Sequence, residues 1–445
     1  MVVALAIGAC QHIPPRPLSP ETTAAALDGR TLDDPQLAEF IGAATGHPPP
    51  AWPLRTWDLA TLTLAAIHFQ PSLAVARAHA AVVGAAVETA GAWPNPTVAI
   101  TPRYSVNPMG AASPWLNTVQ FDWLLETAGK RRRRIERADA DAEAARAAVV
   151  TETWRVRRQL ATALVARAAA RARARTLADE VASMERTVTL FEGRIRAGAA
   201  SEFDVAPLRL ALLQATTDRA AADAQVEESE TQVAAAIGVP TRALAGLGLP
   251  TGPDEAERRT LLDLTPESAR RRALLGRSDV RQAVASYAAA EATLGLELAR
   301  QYPDVHLGPN YEFDQGQNKW GVGLSVELPI LNRNEGPIAE AAAAREEAGT
   351  KLLATQATAI ADVEQGLARR SAELVRNQRV RSVLGDRDAN LGRVRAALAA
   401  GAGDRASVVA AEAERARAAR GVVESDAAVA QALIDLEAVI EGAGP

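Results

Sequence analysis

Trp320-Gly321-Val322-Gly323-Leu324-Ser325-Val326-Glu327-Leu328 decides the fold. Large apolar side chains stand at every second position with Gly, Ser or Glu between them, the period of a strand with one apolar and one polar face. Three other stretches follow the same rule. Val119, Phe121 and Trp123 alternate with Gln120 and Asp122; Val305, Leu307, Tyr311 and Phe313 share a face that Pro309 is expected to break; Val98, Ile100 and Tyr104 repeat the pattern less cleanly. The four predicted strands, 97–105, 117–125, 304–313 and 319–328, are each about nine residues long, the length of a tilted membrane-spanning strand.

The aromatics sharpen this reading. Nine of the 17 lie in 93–123 and 302–320: Trp93, Tyr104, Trp115, Phe121, Trp123, Tyr302, Tyr311, Phe313 and Trp320. Rings at the ends and outer faces of short alternating strands form the girdle of an outer-membrane barrel, and Trp93, Tyr104, Trp115, Trp123, Tyr311, Phe313 and Trp320 are the candidates for it. The alternative is a pair of soluble hairpins with a small aromatic core. Four strands are too few to close a barrel and open edges cannot face lipid, so the barrel reading requires an oligomer.

Outward from the strands the chain repeats itself. Residues 115–206 and 338–444 contain no Pro, and each tract follows a Pro/Gly-punctuated strand region. Pro96-Thr97-Val98 meets Pro303-Asp304-Val305 at an offset of 207, and Ala197-Gly198-Ala199-Ala200-Ser201 meets Ala400-Gly401-Ala402-Gly403-Asp404 at 203. The duplication divides the chain into 59–240 and 267–441, joined by a linker over 241–266. Each half has the order helix, strand, strand, very long helix, tight Gly turn, long helix. The first helices are expected over 59–92 and 267–301, and the later ones over 128–196, 204–237, 337–399 and 404–441.

The long helices carry heptads. Leu177, Met184 and Phe191 repeat at seven, as do Val181, Val188 and Ile195; Leu353, Ile360, Leu367 and Leu374 do so in the second half, restarting at Leu384, Leu391 and Leu398. A helix over 337–399 would be roughly 95 Å long, and one that long must pack beside others in a bundle or tube. A plain dimeric coiled coil is the alternative.

Composition excludes much else. With 49 basic and 54 acidic side chains the formal charge is −5, which leaves no footprint for nucleic acid. Much of the 48% hydrophobic content is Ala, which favours helix over a thick core, so a compact two-domain enzyme is not the natural reading. Cys10 is the single cysteine, and His12, His47, His68, His79 and His306 show no metal-site spacing. No phosphate-loop, nucleophile-elbow or metalloprotease motif occurs, so neither catalysis nor a cofactor is expected, and transport would draw its energy from a partner. There is no run of about 18 apolar residues, so no transmembrane helix is expected either.

Residues 1–10 read as the remnant of a lipoprotein signal, since Ile7-Gly8-Ala9-Cys10 resembles a lipobox whose cysteine is acylated. The alternative is an inert cysteine in an irregular tail. Residues 11–58, rich in Pro, Asp, Thr and Gly, read as a tether or irregular wrap.

These features, with Pro94-Asn95-Pro96, Leu125-Glu126-Thr127-Ala128-Gly129-Lys130-Arg131, Phe203-Asp204-Val205, Ala236-Ile237-Gly238-Val239-Pro240 and Leu328-Pro329-Ile330-Leu331-Asn332-Arg333-Asn334, resemble the TolC-like outer-membrane factors of tripartite RND-type efflux pumps. The resemblance covers roughly residues 59–441. It implies a mainly α chain with a small membrane β part. Three copies would each lend four strands to one outer-membrane β-barrel, while the long helices build an α-barrel tunnel across the periplasm of a Gram-negative bacterium. The implied partners are two further copies, a periplasmic adaptor, an inner-membrane RND-type pump and outer-membrane lipid.

The run from Leu328 to Gly336, leading into Ala339, looks most like the branch serving heavy-metal cation pumps, so divalent heavy-metal cations are the expected cargo. The same scaffold would serve drug or solvent efflux, or type I protein secretion. From another class, a periplasmic coiled-coil scaffold or adaptor without a pore gives no reason for duplicated alternating strands rimmed with aromatics.

Several residues are candidates for function. By resemblance the two Gly turns are periplasmic tips that meet the adaptor, with Arg194, Arg196 and Arg405 as hydrogen-bond donors; Gly198, Gly401 and Gly403 shape the turns, and Ser201 and Asp404 are N-cap types. Asp386 and Asp388 are candidates for a pore gate, because in a trimer an inward carboxylate becomes a ring of three that attracts cations; a solvated helix face is the other account. Lys130-Arg131-Arg132-Arg133-Arg134 reads either as a headgroup contact or as a solvated run, and positive charge at a helix N-terminus calls for compensation. Pro329 is expected to end the last strand, Pro337 to stand near N1 of the long helix, and Gly129 to serve the matching junction in the first half.

Overall fold

The structure, a computed structural model, describes residues 13–107, 110, 113–314 and 316–441. Cys10, the expected lipidation site, lies outside the described residues. In chain order the elements are α1 (Pro20–Asp28), α2 (Pro35–Thr45), α3 (Leu59–Phe69), α4 (Pro71–Gly91), β1 (Thr97–Tyr104), β2 (Trp115–Leu125), α5 (Lys130–Arg196) and α6 (Glu202–Ile237). The second half continues with α7 (Glu255–Leu262), α8 (Pro266–Gly276), α9 (Ser278–Ala299), β3 (Val305–Asp314), β4 (Gln317–Val326), α10 (Glu335–Ala399) and α11 (Arg405–Ile440). Two helices, two strands, a helix of 67 or 65 residues and one of 36 thus occur twice in the same order.

Three expectations are corrected. The helix expected over 59–92 is two helices broken at Gln70, whose ψ of 119° is extended, because Pro71 has no N–H to give and pushes its predecessor out of the helical region. The helix expected over 267–301 is also two, parting at Arg277 with ψ 133°. Here no proline is involved: Arg277 is held by Asp279 and by Asp362 at 3.0 Å, and Glu441 accepts from Ser278 N and Oγ at 2.7 Å each. Segments 11–58 and 241–266 are not plain connectors. The first contains α1 and α2, the latter capped by Asp34 accepting from Gln36 N; the second contains a 3₁₀ turn over Thr241–Leu244 and α7, whose Asp254 and Glu257 form a reciprocal capping box.

By length and composition α4 also passes the usual test for a membrane span, although no long uninterrupted apolar run exists. Its hydropathy comes largely from Ala and Val, and Arg77 and Glu88 interrupt it.

The chain divides into two compact units. One comprises Met1–Gln70, Leu160–Gly252 and Asn390–Val423, and packs α3 on α2 and on α6. Its N-terminal segment is tied in by Arg30, whose Nη1 donates to Phe69 O at 2.7 Å and Gly238 O at 2.9 Å, so one cation caps the C-terminal ends of α3 and α6 together. The other comprises Pro71–Gln159, Pro253–Ala389 and Glu424–Pro445, and contains the sheet. Its helical core gathers Leu261, Leu264 and Ala269 with Val363, Leu433, Leu436 and Ile440. Beside that core Arg157 is buried between Glu257 at 2.9 Å and Glu437 at 2.8 Å, two carboxylates that keep the guanidinium charged.

The heptads divide in an unexpected way. Leu177, Val181 and Val188 are buried within the chain, but Leu353 is 67% exposed and Leu374 partly exposed; α10 buries Ala341, Ala359, Val363 and Leu391. Of the second stripe the single chain leaves Leu353 and Leu374 exposed, while Leu367 packs against the helical core and Leu391 is buried with Leu398 beside it.

Candidate functional site

The sheet is antiparallel throughout in the order β1-β2-β3-β4. Its register joins the four alternations into one surface: Ile100 faces Val119, Val119 faces Tyr311, Tyr311 faces Trp320, and Leu307 lies between Trp123 and Leu324. Directly opposed residues share a face, so Tyr104, Trp115, Phe121, Trp123, Tyr311, Phe313 and Trp320 all stand on the same side. Tyr104 stacks edge-on against Trp115 at 5.1 Å and Tyr311 meets Trp320 at 4.8 Å. The other side carries Arg103, Gln120, Asp122, His306, Asn310, Glu312 and Lys319, with Leu116 and Leu124 as its large apolar exceptions.

Aromatics occupy two levels on the apolar side. Tyr104, Trp115, Tyr311, Phe313 and Trp320 lie toward the hairpin ends, Trp123 toward the helices. From Trp115 to Trp123 is about 26 Å along β2, or about 20 Å in height at the tilt of a barrel strand, within the apolar band of about 25 Å of an outer-membrane barrel. Both edge strands, β1 and β4, are exposed along their whole length, and Trp320 is 79% exposed. Pro309 does not break β3, which runs through it; the ladder to β4 continues at Pro309 and Val322, while the ladder to β2 skips Phe121 and Asp122. Gly308 is required there, since a Cβ would lie 1.9 Å from Phe121 O.

Where the sheet meets the helices, the basic run is absorbed by the protein itself. Lys130 Nζ donates to Asp304 Oδ1 and to Tyr302 O, both at 2.7 Å, and Thr127 N donates to the same Asp304 oxygen at 2.9 Å. Arg131 donates to Gly91 O at 2.7 Å with its guanidinium 4.8 Å from the Trp93 ring centre, Arg134 grips both oxygens of Glu126, and Glu136 sits 2.9 Å from Arg133. Glu126, Glu136 and Asp304 thus supply the compensation that five cations at a helix N-terminus call for, and the headgroup reading of this run is not needed. Gly129, with φ 69°, makes the left-handed turn into α5, and Asn334, with φ 63°, does so before α10, which places Pro337 at the third helical residue rather than N1. β4 stops at Val326, short of Pro329.

The two Gly turns have one geometry. Gly198 N donates to Ile195 O and Ala199 N to Arg194 O; Gly401 N donates to Leu398 O and Ala402 N to Ala397 O, with φ 71° at Gly198 and 73° at Gly401. Gly403 approaches closely, since a Cβ there would lie 3.1 Å from Leu398 N. The caps swap roles between repeats. Ser201 N and Oγ donate to Asp204 at 2.8 and 2.7 Å in the first turn, and Ser407 N donates to Asp404 at 2.7 Å in the second. Hydrogen bonds from Ser201 hold the Asp204 carboxyl below the usual range, those from Ser407 do the same for Asp404, and Arg194 adds attraction to both. Arg194, whose guanidinium also lies 5.5 Å from the Phe191 ring centre, is exposed, as are Arg196 and Arg405. Asp386 and Asp388 stand on an exposed stretch of α10.

Two features escaped the sequence reading. Arg30 carries no local signal, because its two acceptors are 39 and 208 residues away. His306 and Asp122, 2.9 Å apart, were legible in part, since each falls on the polar phase of an alternating strand.

Comparison with known proteins places this architecture. The outer membrane efflux protein family matches residues 65–239 and 269–442. The cobalt-zinc-cadmium resistance protein CzcC of Cupriavidus metallidurans is 25% identical over 247 residues, 54% of this chain and 56% of CzcC. Nodulation protein T of Rhizobium leguminosarum bv. viciae is 25% identical over 232 residues, 49% of this chain and 46% of that protein. The chain thus spans about half the length of the curated relatives it matches. The crystal structure of the outer membrane protein VceC from Vibrio cholerae superposes with a TM-score of 0.70 at 21% identity, over 86% of this chain and 96% of VceC. The fold is that of the TolC-like channels. With both repeats matched along nearly their full extent, the chain belongs to the outer membrane efflux protein family.

Proposed function

We propose that the protein is the outer-membrane channel of a tripartite efflux system, a passive gated conduit that exports divalent heavy-metal cations. The observation that carries this reading is the two-faced sheet: an apolar side with aromatics at two levels, a polar side, and two exposed edges. Such a sheet is stable in lipid only if its edges are closed by further copies. Three chains give a closed barrel of twelve strands, apolar side to lipid and polar side to water. The exposed Leu353 and Leu374 of α10 are covered by the same assembly.

The capped tips around Gly198 and Gly401 are the docking points for a periplasmic adaptor, with Arg194, Arg196 and Arg405 at the contact, and an inner-membrane RND-type pump supplies the energy. Asp386 or Asp388 forms a ring of three at the gate, and Cys10 carries the lipid anchor. Support for metal cargo comes from the likeness to CzcC, a cobalt-zinc-cadmium resistance protein.

Ion conductance across a planar bilayer tests the reading. Detergent-purified protein should give discrete channel events, with altered conductance or cation preference in Asp386→Ala or Asp388→Ala. Silence from a protein that stays soluble without detergent would sink the conduit and favour a pore-less periplasmic scaffold.

A further inference from the structure

On the polar side of the sheet, one residue into β3, His306 Nδ1 lies 2.9 Å from Asp122 Oδ2. An ionised carboxylate only accepts, so Nδ1 carries the hydrogen and the neutral ring keeps its lone pair on Nε2. A carboxylate behind one ring nitrogen, fixing the tautomer and raising the basicity of the other, is the arrangement that metal-binding histidines use.

The surroundings leave the ring accessible. Across the ladders His306 faces Leu124 and Ser325, Asp122 faces Thr97, and the neighbouring positions on the same side are Gly308 and Gly323, which have no side chains. The two side chains are 42% and 37% exposed. The Lys319–Asp314 ion pair stands toward the opposite end of the hairpin, away from the imidazole.

We infer that His306 Nε2, backed by Asp122, is a cation perch: one imidazole per chain for a divalent transition metal of the Ni²⁺, Cu²⁺ or Zn²⁺ class, the rest of its coordination being water. Among the described residues no three His, Cys, Asp or Glu side chains gather to hold a metal, so the perch is open and its cation exchanges quickly. That weakness suits a conduit, where a closed site would trap its cargo. Imidazole suits these cations, whereas Mg²⁺ and Ca²⁺ prefer oxygen, so the perch distinguishes the two groups. Placement of the perch on the lumen wall rests on the conduit reading; metal binding itself does not.

The test has two arms. In the first, Cu²⁺ is titrated into the full chain in detergent and followed by electron paramagnetic resonance, comparing wild type, His306→Gln and Asp122→Asn. The difference between wild type and His306→Gln cancels copper held by the other histidines and should show one imidazole-bound copper per chain. Asp122→Asn should keep that signal with affinity weakened about 10- to 100-fold. Identical titrations of wild type and His306→Gln would overturn the site. In the second arm, millimolar Ni²⁺ should lower single-channel conductance of wild type but not of His306→Gln, and Mg²⁺ should affect neither. Copper binding without that Ni²⁺ effect in a conducting channel would overturn the lumen placement. A wild type that never conducts would count against the conduit reading, while the copper arm still decides the site.

Discussion

Asp404 shows how much a single side chain does at the tip. Its carboxylate accepts from Ser407, which holds it below the usual carboxylate range, and Arg194 adds to the depression. A group whose folded pKa is depressed contributes its full stability above the unfolded value, near 4, and loses that contribution as pH falls through the folded value. Amide hydrogen exchange over 405–408, corrected for intrinsic rates, should therefore quicken below about pH 4. Asp404→Ala should show the faster exchange already at neutral pH and lose this dependence. The caps and the left-handed glycines at 198 and 401 were readable locally, because both are decided by backbone groups within a few residues. Arg30 was not, since only folding brings Phe69 O and Gly238 O within reach of one guanidinium.

At the scale of elements, the join between sheet and helix is where the structure adds most to the alternating pattern. Lys130 is almost fully buried with Asp304 as its ion-pair partner, so the run beginning there is a lock that seats the β2–α5 corner on the residues preceding β3. Lys130→Met should destabilise by about 2 kcal/mol, because it leaves Asp304, itself partly exposed, without its cation. Adding Asp304→Leu should recover much of that loss. Both are measurable as shifts in thermal unfolding followed by the β signal in circular dichroism.

Element boundaries were misread both where a proline sets one, as at Pro71, and where tertiary contacts do. The break at Arg277 has no proline; it is set by Asp362, which holds Arg277, and by Glu441, which accepts from Ser278, 163 residues away. Pro309 erred the other way. Its missing N–H lies in a strand already anchored by β4, so the ladder to β2 lapses locally and the strand survives.

At the scale of the whole molecule, the unburied surface says what the single chain lacks. β1 and β4 keep open edges, and Leu353, Leu374, Val375 and Val383 stand exposed on α10. In the proposed trimer both are covered by neighbouring copies. Leu353→Glu combined with Leu374→Glu should shift the particle from three chains to one in light scattering of the detergent-solubilised protein, with helix content unchanged. A three-chain mass for this variant would mean that these leucines lie outside the interface.

Periodicity and the positions of Pro and Gly determined the four two-faced strands, the long helices and their duplicated order, because a period of two or of three and a half is a local property that survives any packing. The tertiary structure decided the register that gathers every strand aromatic on one side, the pairing of His306 with Asp122, and which leucines of the heptads are buried within the chain and which, Leu353 and Leu374, are not. Those depend on which distant segments come to lie opposite one another, and alternation along a single strand carries no record of its neighbour.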